Sequence, residues 1–188
     1  MKTIIIGGTF NPIHNGHLHI INELKEQLAY QRIIFIPSNL QAHKSSLFLV
    51  PIKDRIEMVK LAIENSPAII DLCEIERGGI SFMIDTVNTI KEKYNISSRI
   101  GLFIGDDLIL GMKNWHNIEE LQSQVDIIVA HRDSNEELET NLTHNYLNNI
   151  SMNISSTDIR NRIKKGREYK NLIPEKVYKY IIEKELYI

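Results

Sequence analysis

Short apolar runs recur along the chain, each separated from the next by a longer stretch with helical spacing. The runs are TIIIG (3–7), RIIFIP (32–37), AIIDLCEI (68–75), RIGLFIG (99–105) and VDIIVAH (125–131). Between them lie GHLHIINELKEQLAY (16–30), PIKDRIEMVKLAIENS (51–66), SFMIDTVNTIKEKY (81–94) and NIEELQSQ (117–124). Near-continuous Ile, Val and Phe suit strands covered on both faces, and a helix between successive strands returns the chain to begin the next one in parallel. The alternation therefore predicts a parallel sheet covered by helices. In the second helical stretch Ile52, Ile56, Val59 and Ile63 recur at three- and four-residue spacing, with Pro51 at a first-turn position.

The last third reads differently. HRDSNEELETNLTHNYLNN (131–149) is polar and irregular, and two further helices follow in ISSTDIRNRIKKG (154–166) and IPEKVYKYIIEKELY (173–187). Ser155 or Ser156 suits the N-cap of the first and Gly166 its stop, while Pro174 opens the second. No linker divides the chain, so residues 1–188 are read as one domain.

Charge and cysteine usage narrow the function classes. With 22 basic against 24 acidic residues the net charge is −2. Such a chain carries no global field to gather a polyanion, and it lacks a basic aromatic stripe, so no nucleic-acid partner is expected. No apolar run approaches the roughly 20 residues that cross a bilayer, so no membrane partner is expected either. The one cysteine, Cys73, cannot form an internal disulfide, and within its strand-like run it reads as a buried structural thiol. MKTIIIGGTFNP is broken too early by glycine to resemble a secretory leader, and the expected compartment is the cytoplasm.

Chemistry concentrates in GGTFNPIHNGHLHII (7–21). A strand ending in glycine, a tight turn and a helix starting near Gly16 set backbone N–H groups and a positive helix end against a phosphate. The pattern is neither a Walker loop nor G-x-G-x-x-G. It carries instead His14 and His17, three residues apart where loop meets helix. Two imidazoles so placed can donate to phosphoryl oxygens as negative charge redistributes in a transition state, which suits phosphoryl or nucleotidyl transfer without a covalent intermediate. Zinc ligation by His14, His17 and His19 is disfavoured, because positions 17 and 19 lie on different helical faces and no Cys or carboxylate cluster follows. His19 is accordingly left outside the site, and no protein-held metal is expected.

These residues resemble a known signature. GGTFNPIHNGHL is similar to the GxFxPxHxGH element of the HxGH nucleotidyltransferase superfamily, and in particular to the opening of bacterial nicotinate mononucleotide adenylyltransferases. The resemblance implies an α/β fold, a single Rossmann-like doubly wound parallel sheet of about five or six strands with helices on both faces and a helical C-terminal end. It assigns Gly8, Thr9, Phe10 and His17 to ATP, with Thr9 also touching the acceptor, and makes His14, His17 and Arg160 the catalytic set.

Further segments match in family order. PSNLQAHK (37–44) resembles the loop that ends in a His-Lys pair, which implies a phosphate-contacting role for Lys44. ERGGISFMIDTV (76–87) resembles the pyridine-pocket segment, with Phe82 and Met83 where the family carries Tyr and Thr. FIGDDLILGMKNWHNIEEL (103–121) resembles the Gly-x-Asp strand end followed by a Trp-His pair. By that match Gly105 and Asp107 meet the ATP ribose, and Trp115 and His116 the acceptor ring. Taken alone, Trp115, Phe82 and Met83 would be assigned to the core, Lys44 to a solvated loop and Asp107 to a helix cap. NISSTDIRNRI (153–163) contains the ISSTxIR signature, which implies a second phosphate site formed by Ile154, Ser155, Ser156, Thr157 and Arg160. The tail 172–187 is read as a packing helix without chemistry.

The resemblance thus implies adenylyl transfer from ATP to nicotinate mononucleotide, with Mg²⁺ carried on the nucleotide. Rival acceptors are nicotinamide mononucleotide, phosphopantetheine or an alcohol phosphate with CTP. A catalytically silent nucleotide sensor is the rival from another class, opposed by the presence of both histidines and Arg160. Self-association is left open.

Overall fold

The computed structural model describes residues 1–41, 49–131, 137–149 and 153–188. Lys44 falls outside these described residues. In chain order the first half comprises β1 (Thr3–Gly8), α1 (Asn15–Leu28), β2 (Arg32–Pro37), β3 (Leu40–Gln41), α2 (Ile52–Ile63), β4 (Ile69–Ile70), α3 (Cys73–Arg77), β5 (Ile80–Ser81) and α4 (Met83–Lys93). The second half comprises β6 (Ile100–Gly105), α5 (Asp106–Ile109), α6 (Ile118–Gln124), β7 (Val125–Ala130), β8 (His144–Leu147), α7 (Ser156–Lys164) and α8 (Glu175–Glu183).

Side-chain alternation along the strands explains why both sheet faces are covered. Ile4 and Ile6 of β1, with Ile33 and Phe35 of β2, belong to one core, together with Ile20, Ile21 and Leu24 of α1, Met58, Val59 and Ile63 of α2, Ile159 of α7, and Val177 and Ile181 of α8. Ile5, Ile34 and Ile36 face the other way, into a core built with Ile84, Val87 and Ile90 of α4, Ile109 of α5 and Leu121 of α6. The sheet is doubly wound, as the resemblance implies, and it is the helix-covered parallel sheet that the alternation of runs and helices predicts.

The parallel strands run in the order β4-β2-β1-β6-β7-β8, and β3 pairs with β5 in a separate parallel ribbon. From β1 the chain moves outward through β2 to β4, then returns to lay β6 on the other side of β1. That reversal leaves a crevice beyond the carboxyl ends of β1 and β6, where open α/β sheets bind ligands. β1 ends at Gly8 and β6 at Gly105, so the histidine motif and the Gly-Asp-Asp segment open onto the same crevice.

Two strand readings are corrected. The run 68–75 pairs only through Ile69 and Ile70, with Ile34 and Phe35. The Asp71 carboxylate then accepts the Cys73 N–H at 3.0 Å, which turns the backbone into α3, so Cys73 opens a helix rather than lying in a strand. Conversely, polar 131–149 contains β8, paired in parallel with Ile127–Ala130. As the outer strand it needs only partial burial, and in HNYL the residue that is buried is Leu147. The tail is corrected as well: α8 stops at Glu183, and Glu185 and Tyr187 then take left-handed backbone conformations.

Candidate active site

The turn between β1 and α1 is held from beneath by its carbonyls. Arg55 Nη1 donates to the Thr9 carbonyl at 2.9 Å, Arg160 Nη1 to that of Asn11 at 2.7 Å, and Ser156 Oγ to that of Pro12 at 2.8 Å. Because a trans peptide is planar, the N–H groups of Phe10 and Ile13 point opposite to the Thr9 and Pro12 carbonyls. These N–H groups therefore point away from the side chains that hold the turn's carbonyls, an arrangement suited to an anion. Phe10 is only 2% exposed, its ring lying 5.4 Å from that of Phe35 and 5.3 Å from that of His17. What Phe10 can offer a ligand is its backbone.

His14 and His17 are brought together as the sequence implies. His14 takes an extended backbone conformation as N-cap of α1. Its N–H donates to His17 Nδ1 at 3.2 Å, and the His17 N–H to the His14 carbonyl at 2.9 Å. The imidazole centroids lie 3.7 Å apart, with the rings tilted by 33°. Since a backbone N–H only donates, His17 Nδ1 is the acceptor and the ring proton resides on Nε2, making that nitrogen a hydrogen-bond donor. Gly16 makes room for the pair, as a Cβ there would stand 3.1 Å from His14 Nδ1. His19 pairs instead with Glu23, at 3.3 Å.

The distant ISST segment meets this turn through the contacts of Ser156 and Arg160 just given. Ser155 is the N-cap of α7, accepting the Asp158 N–H at 3.1 Å. Arg160 Nη2 reaches Thr157 Oγ1 at 3.1 Å, which fixes the plane of the guanidinium and leaves its other N–H groups for a ligand oxygen. Partial burial lowers the Arg160 pKa and the nearby Tyr187 raises it, the first effect being the larger. A cation so desolvated gains from an anionic ligand.

At the end of β6, Gly105 caps the short helix α5 in extended conformation. Asp106 is buried and Asp107 exposed, so the acid that the resemblance assigns to the ribose is the one facing outward. Phe82 caps α4 and its ring lies 4.5 Å from that of His116, while Met83 Cε reaches over Gly7 at the end of β1. Phe82, Met83 and Trp115 are each half-buried against the core beneath α4. Behind them Thr86 Oγ1 donates to Glu74 Oε1 at 2.7 Å and accepts from Arg77 Nη2 at 3.0 Å. Burial pushes the Glu74 carboxyl above its ordinary range. This brace flanks Gly78 and Gly79, both left-handed, where a side chain would be strained. Cys73 lies nearby, its thiol pushed up to about 12 by burial and by Asp71, which removes it as a nucleophile.

Two further residues support the site without announcing themselves as motifs. Arg55 is 1% exposed, and its Nη1 donates not only to Thr9 but also to the Ser38 carbonyl at 2.9 Å, joining the ends of β1 and β2. Its signal was positional: Arg55 shares the apolar stripe of α2 with Met58 and Val59, where a charge has to find buried partners. Tyr187 donates to Asn11 Oδ1 at 2.8 Å. Among the described residues no helix is long and apolar enough to cross a membrane.

The family described as cytidylyltransferase-like matches residues 5–162. A protein of Borrelia garinii subsp. bavariensis named "Probable nicotinate-nucleotide adenylyltransferase" is 41% identical over all of this chain and 95% of its own. The nicotinate-nucleotide adenylyltransferase of Bacillus subtilis is 36% identical, covering 100% of this chain and 99% of its own. The fold matches a structure of Plasmodium falciparum nicotinic acid mononucleotide adenylyltransferase complexed with NaAD, with a TM-score of 0.79 at 23% identity, over 100% of this chain and 98% of that one.

Proposed function

The chain belongs to the cytidylyltransferase-like family, alongside nicotinate-nucleotide adenylyltransferases, and from that premise we propose that it condenses nicotinate mononucleotide with ATP to give nicotinate adenine dinucleotide and pyrophosphate. The observation that carries this reading is the junction of two distant segments: Arg160 and Ser156 of α7 bond to the very turn that presents His14 and His17. Each segment supplies half of a cradle for a triphosphate.

In the proposed reaction an oxygen of the acceptor's 5′-phosphate attacks the α-phosphorus in line. A new P–O bond forms as the bond to the β-phosphate oxygen breaks, and pyrophosphate leaves with that electron pair. The nucleophile is already ionised at neutral pH, so no general base is needed and catalysis is positioning plus charge stabilisation. His17 Nε2 and the His14 ring meet phosphate oxygens, Arg160 and the start of α7 hold the departing pyrophosphate, and Gly8, Thr9 and Phe10 line the nucleotide with backbone. Asp107 receives the ribose, and Trp115, His116, Phe82 and Met83 surround the pyridine ring, with Lys44 on the acceptor phosphate. Mg²⁺ enters on ATP. The donors gathered here are N–H groups, imidazoles and a guanidinium, which suit phosphate oxygens, while a hard cation bridging phosphates keeps most of its waters and needs few protein ligands. We place the reaction in the cytoplasm, a setting that suits the free thiol of Cys73.

The test is pyrophosphate release from ATP and Mg²⁺ with each acceptor supplied separately. Turnover should be fastest with nicotinate mononucleotide. A preference for nicotinamide mononucleotide would overturn the acceptor, and silence with nicotinate mononucleotide, nicotinamide mononucleotide, phosphopantetheine and CTP-linked alcohol phosphates alike would overturn the enzyme reading.

A further inference from the structure

Beyond α8 the backbone turns sharply. Glu185 and Tyr187 stand at φ 50 and 69, a region that a bulky side chain occupies only when its surroundings over-determine it. The turn carries the Tyr187 hydroxyl under the β1–α1 connection, where it donates to Asn11 Oδ1 at 2.8 Å. The same oxygen lies 3.4 Å from the Val50 N–H. The backbone carbonyl of the same Asn11 accepts from Arg160 Nη1 at 2.7 Å. Tyr187, Asn11 and Arg160 thus form a continuous relay from the end of α8 to the guanidinium.

We propose that Tyr187 is a positioning residue for nucleotidyl transfer: by fixing Asn11 it sets where Arg160 stands relative to the phosphate-binding turn. The inference rests on the functional reading above. Tyr187 does not touch the reacting atoms. Burial holds its hydroxyl above the ordinary tyrosine range against the opposing pull of Arg160 and Arg55, so it stays a donor across the working pH. Releasing Asn11 lets Arg160 shift relative to the rest of the turn, and misplacement of a stabilising group by about 1 Å costs on the order of a hundredfold in rate.

The test is a double-mutant cycle in the full chain with Tyr187→Phe and Arg160→Ala, read as kcat and KM. Tyr187→Phe alone should lower kcat about ten- to a hundredfold while KM for each substrate moves less than about twofold. In the Arg160→Ala background the same change should alter kcat less than about twofold, because the relay has already lost its end. Tyr180→Phe is the control, since it removes a comparable hydroxyl of α8, bonded to Asp54 at 2.9 Å and not to the turn. It should leave kcat at the wild-type value. Multiplying effects of Tyr187→Phe and Arg160→Ala, a wild-type kcat for Tyr187→Phe, or an equal loss in Tyr180→Phe would each overturn the proposal. Absence of turnover in the wild type would instead defeat the functional reading on which it rests.

Discussion

Replacing His17 separates two jobs of one ring, one seen in the structure and one proposed. Its Nδ1 accepts the His14 N–H at 3.2 Å, closing the first turn of α1, while Nε2 is the donor that the proposed mechanism aims at phosphate. Alanine removes both. Losing the cap costs about 1 kcal/mol, which for a chain of this size lowers Tm by about 2–4 °C. Losing a donor aimed at developing charge costs about 2.7–4 kcal/mol, or 10²- to 10³-fold in kcat. Glutamine distinguishes the two, because at the third helical position its side-chain oxygen reaches back to the N-cap N–H as the imidazole does, while its NH2 group sits on a flexible stem and is not held where the rigid ring holds Nε2. His17→Gln should therefore melt with the wild type yet lose about 10²-fold in kcat, while His17→Ala loses both, each with acceptor KM nearly unchanged. Thermal melts by circular dichroism and pyrophosphate-release kinetics on the same preparations decide it. A His17→Ala enzyme with wild-type kcat would refute the phosphate role, and an unshifted melt in His17→Ala would refute the cap.

Two other expectations follow from particular contacts. Asp71 is buried, which pushes its carboxyl up, but Lys93 at 2.8 Å, the Cys73 N–H and the Tyr94 hydroxyl at 3.0 Å outweigh this and hold it below the ordinary range. A depressed carboxylate contributes stability that is fully present above its unfolded pKa of about 3.9 and is lost as pH falls through the folded value. Asp71→Asn should then cost about 1.5–3 kcal/mol at pH 7, and that gap should close below about pH 4 in denaturant titrations; a gap independent of pH would contradict the assignment. Trp115 is the chain's one tryptophan, so stacking of the acceptor ring on its indole should quench intrinsic fluorescence upon addition of nicotinate mononucleotide alone, and an unchanged emission spectrum at saturating acceptor would remove it from the pocket.

What the sequence disclosed follows from where the information resides. Strand runs such as TIIIG and RIGLFIG were legible because a strand covered on both faces has to be apolar at nearly every position. β8 was hidden because the outer strand is held largely by backbone pairing with β7, which leaves HNYL free to be polar. The run 68–75 misled for the opposite reason: a single carboxylate, Asp71, diverts an apolar stretch into a helix. In the site, His14, His17 and Arg160 were legible because anion binding demands those side-chain types at a helix start. Arg55 and Tyr187 were not, because they bond to a carbonyl or an amide of the turn, and any well-placed donor serves that purpose.

The acceptor choice turns on the same distinction between side chain and backbone. Phe82 caps α4 in extended conformation with no side-chain hydrogen bond to the first turn, and its ring is turned to His116 while Met83 reaches over Gly7. In the proposed acceptor pocket the polar character of this end would therefore come from the N-terminal N–H groups of α4, which Tyr and Thr or Phe and Met leave alike in place. Phe82 and Met83, standing where the resembling family carries Tyr and Thr, would change the walls of that pocket and not this dipole. A helix N-terminus favours an anion by about 0.3–1 kcal/mol when exposed and up to about 2 kcal/mol when partly buried. Converted to a ratio of kcat/KM, that is a preference for the carboxylate of nicotinate over the neutral amide of at most about thirtyfold. A ratio well above this would mean that a directed hydrogen bond reads the carboxylate, and a ratio near one would mean that the start of α4 does not face the ring.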